Sequence, residues 1–173
     1  MEQQQPKSSS KSPRREELPS QHAGGMSVVV QQVDEAFLLV DNENEWVHIG
    51  KGMVVYICFL QGASQEMLPK VVKALLGVKL FQVDGKAASV MEAQRDIMIV
   101  PQASLSGKLK GNRTQYHGQA NKEEAETLYD TFISLIKANI SNTPDIILKH
   151  GTYGNRQGLR IVSSGPYTHH FTF

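Results

Sequence analysis

Apolar and polar positions alternate closely along the chain from residue 26, and short polar clusters interrupt the alternation. Residues 27–33 form a β-branched run ending in Gln31-Gln32, and residues 36–40 form a second apolar run. Asp41-Asn42-Glu43-Asn44-Glu45 reads as a polar turn, after which residues 46–49 resume the strand pattern. Gly50-Lys51-Gly52 turns the chain again into residues 53–60, the longest apolar run. Short strands separated by tight turns predict an antiparallel meander. The period then changes. Met67, Leu68, Val71, Val72, Leu75 and Leu76 recur with helical spacing. Pro69 belongs in a first turn, so this helix is expected to start around residues 64–67, with Ser64 as N-cap, and to end at Gly77.

Residues 78–83 predict another strand, Asp84-Gly85 a turn, and residues 96–102 a buried strand through Ile97, Met98, Ile99 and Val100. From Ala103 to Ala120 the chain is polar and irregular, and so long a loop in a small domain is usually functional or disordered. A second helix follows from Asn121 to about Asn139. Asn121 and Glu124 stand at capping-box spacing, and Ala125, Leu128, Tyr129, Phe132, Leu135 and Ile136 form its inner stripe. Residues 146–148, 159–162 and 168–173 complete the strands. Strands outnumber helices about threefold, which argues for an α+β fold, a single β-rich domain of mainly antiparallel strands with two packed helices.

Residues 1–25 are different in kind: Gln, Ser, Pro and charge dominate, and the stretch is expected to be a disordered tail ahead of a domain spanning 26–173. The 173 residues carry a net charge of +1, so nucleic-acid contact has to come from a local basic patch and not from a global field. The one cysteine, Cys58, sits in an apolar run and reads as a buried, reduced side chain. There is no disulfide frame, no zinc spacing and no apolar run long enough for a membrane helix, so the protein is expected to be cytoplasmic and independent of membranes.

No nucleophile elbow, Walker loop, dinucleotide fingerprint or HExxH motif is present. Of six histidines only His169-His170 are neighbours, and adjacent strand residues face opposite ways, so no metal site is expected from them. A Ser-His-Asp triad needs no sequence proximity, but nothing points to one. What remains is rich in backbone. Gln102, Ala103 and Ser104 leave a buried strand and enter the long loop, where their N–H groups are free of a sheet ladder and suited to stabilising an oxyanion. Gly165-Pro166 can fix two carbonyl oxygens as acceptors for an ammonium group. An aminoacyl ester is reactive enough for positioning and charge stabilisation to cleave it. The bland reading of the same residues is a strand end and a hairpin turn. Lys108, Lys110 and Arg113 place three cations within six residues, either as a phosphate-contacting patch or as a solvated loop.

Ile99-Val100-Pro101-Gln102-Ala103-Ser104-Leu105, then Leu109-Lys110-Gly111-Asn112, then Gly165-Pro166-Tyr167-Thr168 resemble, in this order, the motifs of the D-aminoacyl-tRNA deacylase family. The similarity runs from about Ser27 to Phe173. Within the family the chain resembles the second, animal-type branch, the animal-specific tRNA deacylases. The resemblance rests on Pro101-Gln102, Gln115-Tyr116-His117, the run from His150 to Gln157, and His169 after Thr168. Where the other branch carries an arginine that locks a cis Gly-Pro bond, this sequence has Gln32; the resemblance implies instead a trans bond associated with Arg156. It also implies barrel-like packed sheets and a homodimer in which Gly165-Pro166 of one subunit enters the other's site. The implied reaction is hydrolysis of mischarged aminoacyl-tRNA, assisted by the substrate's own 2′-hydroxyl, with no cofactor and no metal. Implied substrates are D-aminoacyl-tRNA, glycyl-tRNA and L-alanyl esters on threonine tRNA. Gln102, Ala103 and Ser104 take the catalytic place, Gly165 and Pro166 bind substrate, and Pro101, Gln32, Arg156, Tyr167 and Thr168 support the pocket. The family usually has Thr where this chain has Ser104. A member that binds tRNA without turnover, and a general esterase, are the competing readings.

Overall fold

The computed structural model describes residues 25–165 and 167–173, and the expectation of a disordered tail falls largely on residues 1–24, outside the described residues. In chain order the elements are β1 (Met26–Val33), β2 (Glu35–Leu39), β3 (Trp46–Ile49), β4 (Gly52–Phe59), and a 3-10 turn at Gln65–Met67 leading into α1 (Leu68–Gly77). Then come β5 (Phe81–Val83), β6 (Lys86–Ala88), β7 (Asp96–Pro101), a second 3-10 turn at Ala103–Ser106, β8 (Lys108–Lys110) and β9 (Arg113–Gln115). The chain closes with α2 (Lys122–Ile140), β10 (Leu148–His150), β11 (Leu159–Val162) and β12 (Thr168–Thr172).

Three layers result. A five-stranded sheet in the order β10-β7-β4-β1-β12 is the middle one. On one face, Val28, Val30, Met53, Val55, Ile57, Ile97 and Ile99 pack with the apolar stripes of both helices. On the other, Val33, Val54, Met98 and Val100 pack against Ala36, Leu38 and Ile49 of the three-stranded sheet β11-β2-β3. Alternate residues of β4 and β7 thus serve opposite cores, which is why both strands read as almost continuously apolar. The two sheets are stacked and open, not closed into the barrel-like arrangement that the family resemblance implied.

The predicted meander is also corrected. β1 pairs antiparallel with β4 and β12, whereas β2 pairs with β3 and β11. At Asp34, whose N–H donates to Val162 O (2.8 Å), the chain crosses from one sheet to the other. Met26, Ser27 and Val28 are all buried, so β1 requires a neighbour on each side and a cover on each face. β4–β7 and β7–β10 are parallel pairs. Parallel neighbours need a crossover, and α1 and α2 supply the two, both on the same face.

Local differences have local causes. A 3-10 turn occupies residues 65–67, so the α-helix starts at Leu68, with Pro69 in its first turn where no N–H is required. Val78 still donates its N–H to Ala74 O (2.9 Å), which shortens the following strand to Phe81–Val83. Asn121 caps α2, but its side chain accepts from Glu123 N–H (2.9 Å), not from Glu124. The stretch predicted to be irregular holds the second 3-10 turn and the hairpin β8–β9. No helix among the described residues is long and apolar enough to cross a membrane.

Candidate active site

β7 leaves the middle sheet at Pro101. Gln102 N–H still donates to Ile57 O (2.7 Å), the last rung shared with β4, so this amide is committed and the expectation of a free Gln102 N–H is corrected. Beyond that rung the chain winds into the turn Ala103–Ser106. The first N–H groups of a helical turn have no partner within it. Among the described residues, those of Ala103 and Ser104 have no acceptor, and both residues are exposed. The Ala103 carbonyl, in contrast, receives Ser106 Oγ (2.8 Å), Gln119 Nε2 (3.1 Å) and a longer approach from Cys58 Sγ (3.7 Å).

The opposite wall is the turn that follows β10. Gly151 N–H donates to Ile99 O (2.8 Å), and the buried Tyr129 hydroxyl donates to Gly151 O (2.8 Å). Three side chains of the turn then converge on Val40 O at the end of β2: Thr152 Oγ1 (3.0 Å), Asn155 Nδ2 (3.3 Å) and Gln157 Nε2 (3.3 Å). Gln157 Oε1 also accepts Thr152 N–H (3.1 Å). With its polar neighbours drawn inward, Arg156 stands exposed at the rim.

Between these walls lies a cleft of about 510 Å³. Pro101, Gln102, Ala103 and Ser104 line one side and Tyr153, Gly154, Asn155, Arg156 and Gln157 the other, with Cys58, Gln119 and Lys122 completing it. Its size suits a small organic ligand or a nucleoside. Lys122 and Arg156 bring two cations, and the lining contains no carboxylate and no imidazole. Burial pushes the Cys58 thiol above its ordinary range, against weaker opposing hydrogen bonds from Ser106, so it is a poor nucleophile. Burial also raises the Tyr153 phenol. Ser104 has a hydroxyl but no base beside it in the lining. The polar groups of the lining left without an acceptor are the backbone N–H groups of Ala103 and Ser104.

Of the residues singled out from sequence, Pro101, Gln102, Ala103, Ser104 and Arg156 come together here. Gly165 and Tyr167 do not. They line a separate hollow of about 130 Å³ with Gln32, Val33, Asp34, Ser163 and Ser164, and share no lining residue with the cleft. Gln32 N–H donates to Tyr167 O (3.0 Å), and Ser163 Oγ lies within reach of both Gln32 O (3.0 Å) and Gly165 O (2.6 Å). The Gln32 side chain turns away and donates to Leu80 O. Tyr167 is 64% exposed, and Thr168 is an exposed residue paired with Gln31. Pro166 lies outside the described residues. Lys108, Lys110 and Arg113 are exposed on the hairpin β8–β9, where Lys110 and Arg113 are cross-strand partners beside Leu109, itself 79% exposed.

His169 and His170 do face opposite ways. His169 stacks on Phe171, and His170 Nε2 lies 3.0 Å from Ser27 Oγ beside a hollow whose lining has no carboxylate, so this Ser-His pair lacks a third member there. No group of three or more His, Cys, Asp or Glu among the described residues is arranged for a metal. Gln119 and Lys122 escaped the sequence reading. Gln119 lies in the polar loop just outside the run Gln115-Tyr116-His117, and Lys122 reads only as the first residue of a helix.

Comparison with known proteins bears on the family and the fold. A family model described as D-Tyr-tRNA(Tyr) deacylase matches residues 29–172. The chain is 47% identical to D-aminoacyl-tRNA deacylase 2 of Danio rerio over 84% of its own length and 98% of that protein. It is 42% identical to the Homo sapiens protein of the same name over 75% of its length and 80% of that protein. A solved structure of a probable eukaryotic D-amino acid tRNA deacylase superposes with a TM-score of 0.75 at 33% identity, over 86% of this chain and 99% of that one. The motif-bearing cleft, the three-layer fold and these likenesses together show that the chain belongs to the D-aminoacyl-tRNA deacylase family, on its type 2 side.

Proposed function

We propose that this protein is an aminoacyl-tRNA editing hydrolase that cleaves the ester between a tRNA's terminal adenosine and a wrongly attached amino acid. The observation that carries the reading is the cleft itself: two acceptor-free backbone N–H groups, at Ala103 and Ser104, opposite two cations, with no acidic or imidazole side chain. An ester carbonyl seated against that edge gains its stabilisation as negative charge develops on oxygen, and one such donor is worth roughly 2.7–4 kcal/mol in the transition state. The chain offers no evident base in the lining, so the 2′-hydroxyl of the terminal ribose is the group placed to assist water. Lys122 and Arg156 of the cleft lining, and the exposed Lys108, Lys110 and Arg113 of the hairpin β8–β9, are the cations this reading assigns to the phosphates of the acceptor end.

The finer reading assigns the amino group of the substrate to Gly165-Pro166 of a second copy. Its support is that the Gly165 hollow and the cleft share no lining residue within one chain, so the two would serve one substrate only across two copies. In a homodimer the two elements meet across subunits. D-aminoacyl-tRNA, glycyl-tRNA and L-alanyl esters on threonine tRNA are the proposed substrates, with L-threonyl-tRNA spared. Enzyme-excess deacylation of these four esters tests the proposal. Loss of the first three alone supports it, loss of the D-aminoacyl ester alone narrows it to D-selective editing, and tRNA binding without any cleavage refutes it.

A further inference from the structure

Side-chain donors from three separate segments converge on one main-chain oxygen, the carbonyl of Ala103: Ser106 Oγ at 2.8 Å, Gln119 Nε2 at 3.1 Å and Cys58 Sγ at 3.7 Å. We propose that Gln119 and Ser106 are positioning residues for ester cleavage, gripping this carbonyl so that the Ser104 N–H stays aimed into the cleft. The inference rests on the reading of that N–H as an oxyanion donor.

Peptide geometry links the two groups. A trans peptide is planar, and the C=O of one residue points opposite to the N–H of the next. Holding Ala103 O therefore holds Ser104 N–H. The preceding plane is held by main chain alone, because Leu105 N–H donates to Gln102 O (3.2 Å) and thereby orients Ala103 N–H. For the Ser104 plane the side chains add the grip, and Ser106 is itself buried beneath the turn. Gln119 is delivered to its place by the end of β4. Gln119 bridges Leu60, Gln61 N–H donates to Gly118 O (2.9 Å), and Ala120 N–H donates to Phe59 O (3.0 Å). The far end of the long loop is thus anchored to the strand whose Ile57 anchors its near end.

Because an oxyanion donor acts only if it is already aimed when charge develops, loosening this plane affects the chemical step more than binding. Gln119→Glu keeps the size and the main-chain pairing but sets a carboxylate oxygen against the carbonyl oxygen. Ser106→Ala removes the other donor. We expect each full-length variant to lower the single-turnover rate at saturating enzyme by about 10- to 100-fold, and the uncharged Ser106→Ala to do so with the half-saturating concentration for tRNA unchanged within about twofold. The amide resonance of Ser104 should shift and its hydrogen exchange quicken, while Ala103 moves less. Ser106→Thr, which keeps the hydroxyl, should recover most of the lost rate. Folded variants that cleave at the wild-type rate would overturn the inference and leave the functional reading standing. A wild-type protein inactive on every aminoacyl-tRNA would overturn both. If Gln119→Glu does not fold, Ser106→Ala and Ser106→Thr decide the matter by the same readouts.

Discussion

A methyl group added at Gly151 would fall between the two walls of the cleft. A Cβ there would lie 2.2 Å from Gln157 Oε1 and 3.0 Å from Pro101 Cδ. Neither neighbour yields easily. Pro101 is a ring at the end of β7, and the Gln157 amide is pinned at both ends, by Thr152 N–H on its oxygen and Val40 O on its nitrogen. Gly151→Ala must therefore either expel the Gln157 side chain or push the turn 151–157 away from β7. Expulsion forfeits two hydrogen bonds of about 0.5–1.5 kcal/mol each, and overpacking costs about 1–3 kcal/mol, so a loss of about 2 kcal/mol is expected. For a chain of this size that corresponds to a fall in Tm of roughly 4–8 °C. Displacing the wall that carries Asn155 and Arg156 should lower single-turnover deacylation by about 10- to 100-fold. Differential scanning fluorimetry and enzyme-excess kinetics read the two effects. The decisive control is the double variant Gly151→Ala, Gln157→Ala. With the nearer clashing atom removed and only the Pro101 contact left, Gly151→Ala should cost clearly less in the Gln157→Ala background than in the wild type, a non-additivity expected of residues in contact. Additive losses, or a Gly151→Ala protein with unchanged Tm and rate, would refute the reasoning.

The same structure has three further consequences. Lys110→Ala with Arg113→Ala should weaken tRNA binding and reduce the slope of log affinity against log salt by about 1.5, as measured by titration at several salt concentrations; an unchanged slope removes the hairpin from the interface. The Glu92 carboxylate, held down chiefly by its hydrogen bond from Lys79, should titrate with a pKa of about 2 in a carbon-detected NMR series. Since its unfolded value is near 4.5, its contribution to stability is present above pH 4.5 and is lost as pH falls towards 2. The native Cys58 thiol, raised by burial, should be alkylated by iodoacetamide far more slowly than in the denatured protein, followed by mass spectrometry; equal rates would contradict its burial.

Local pattern carried much of this molecule. The spacing of Leu128, Phe132 and Ile136 announced the buried stripe of α2, and the apolar run from Ile97 to Val100 announced a strand covered on both faces. The stretch around Ala103 reads as chemistry from its residues, whereas the turn around Arg156 enters only through the family resemblance; the fold brings the two to one cleft. Partnership was not legible. Alternation tells which residues of β1 share a face but not that β4 and β12, distant in sequence, flank it in place of β2. Gln119 likewise acquires its place only when the end of β4 draws the loop back over the Ala103 turn, a non-local contact that the nearby run Gln115-Tyr116-His117 does not announce. The Gln102 amide was misread because the β4–β7 ladder runs one rung further than the loss of apolar pattern suggests.

The central claim is that water, not a side-chain nucleophile, attacks the ester carbonyl while backbone amides stabilise the charge on its oxygen and the ribose oxygen leaves. Single-turnover deacylation of a D-aminoacyl-tRNA by Ser104→Ala, beside the wild-type protein, tests it most directly. The substitution removes the only hydroxyl that the motif places in the cleft and leaves the N–H in position. The account predicts cleavage within about tenfold of wild type and no covalent aminoacyl-enzyme in either protein. A loss of about a thousandfold or more, or an aminoacyl group trapped on Ser104 of the wild-type protein, would contradict it.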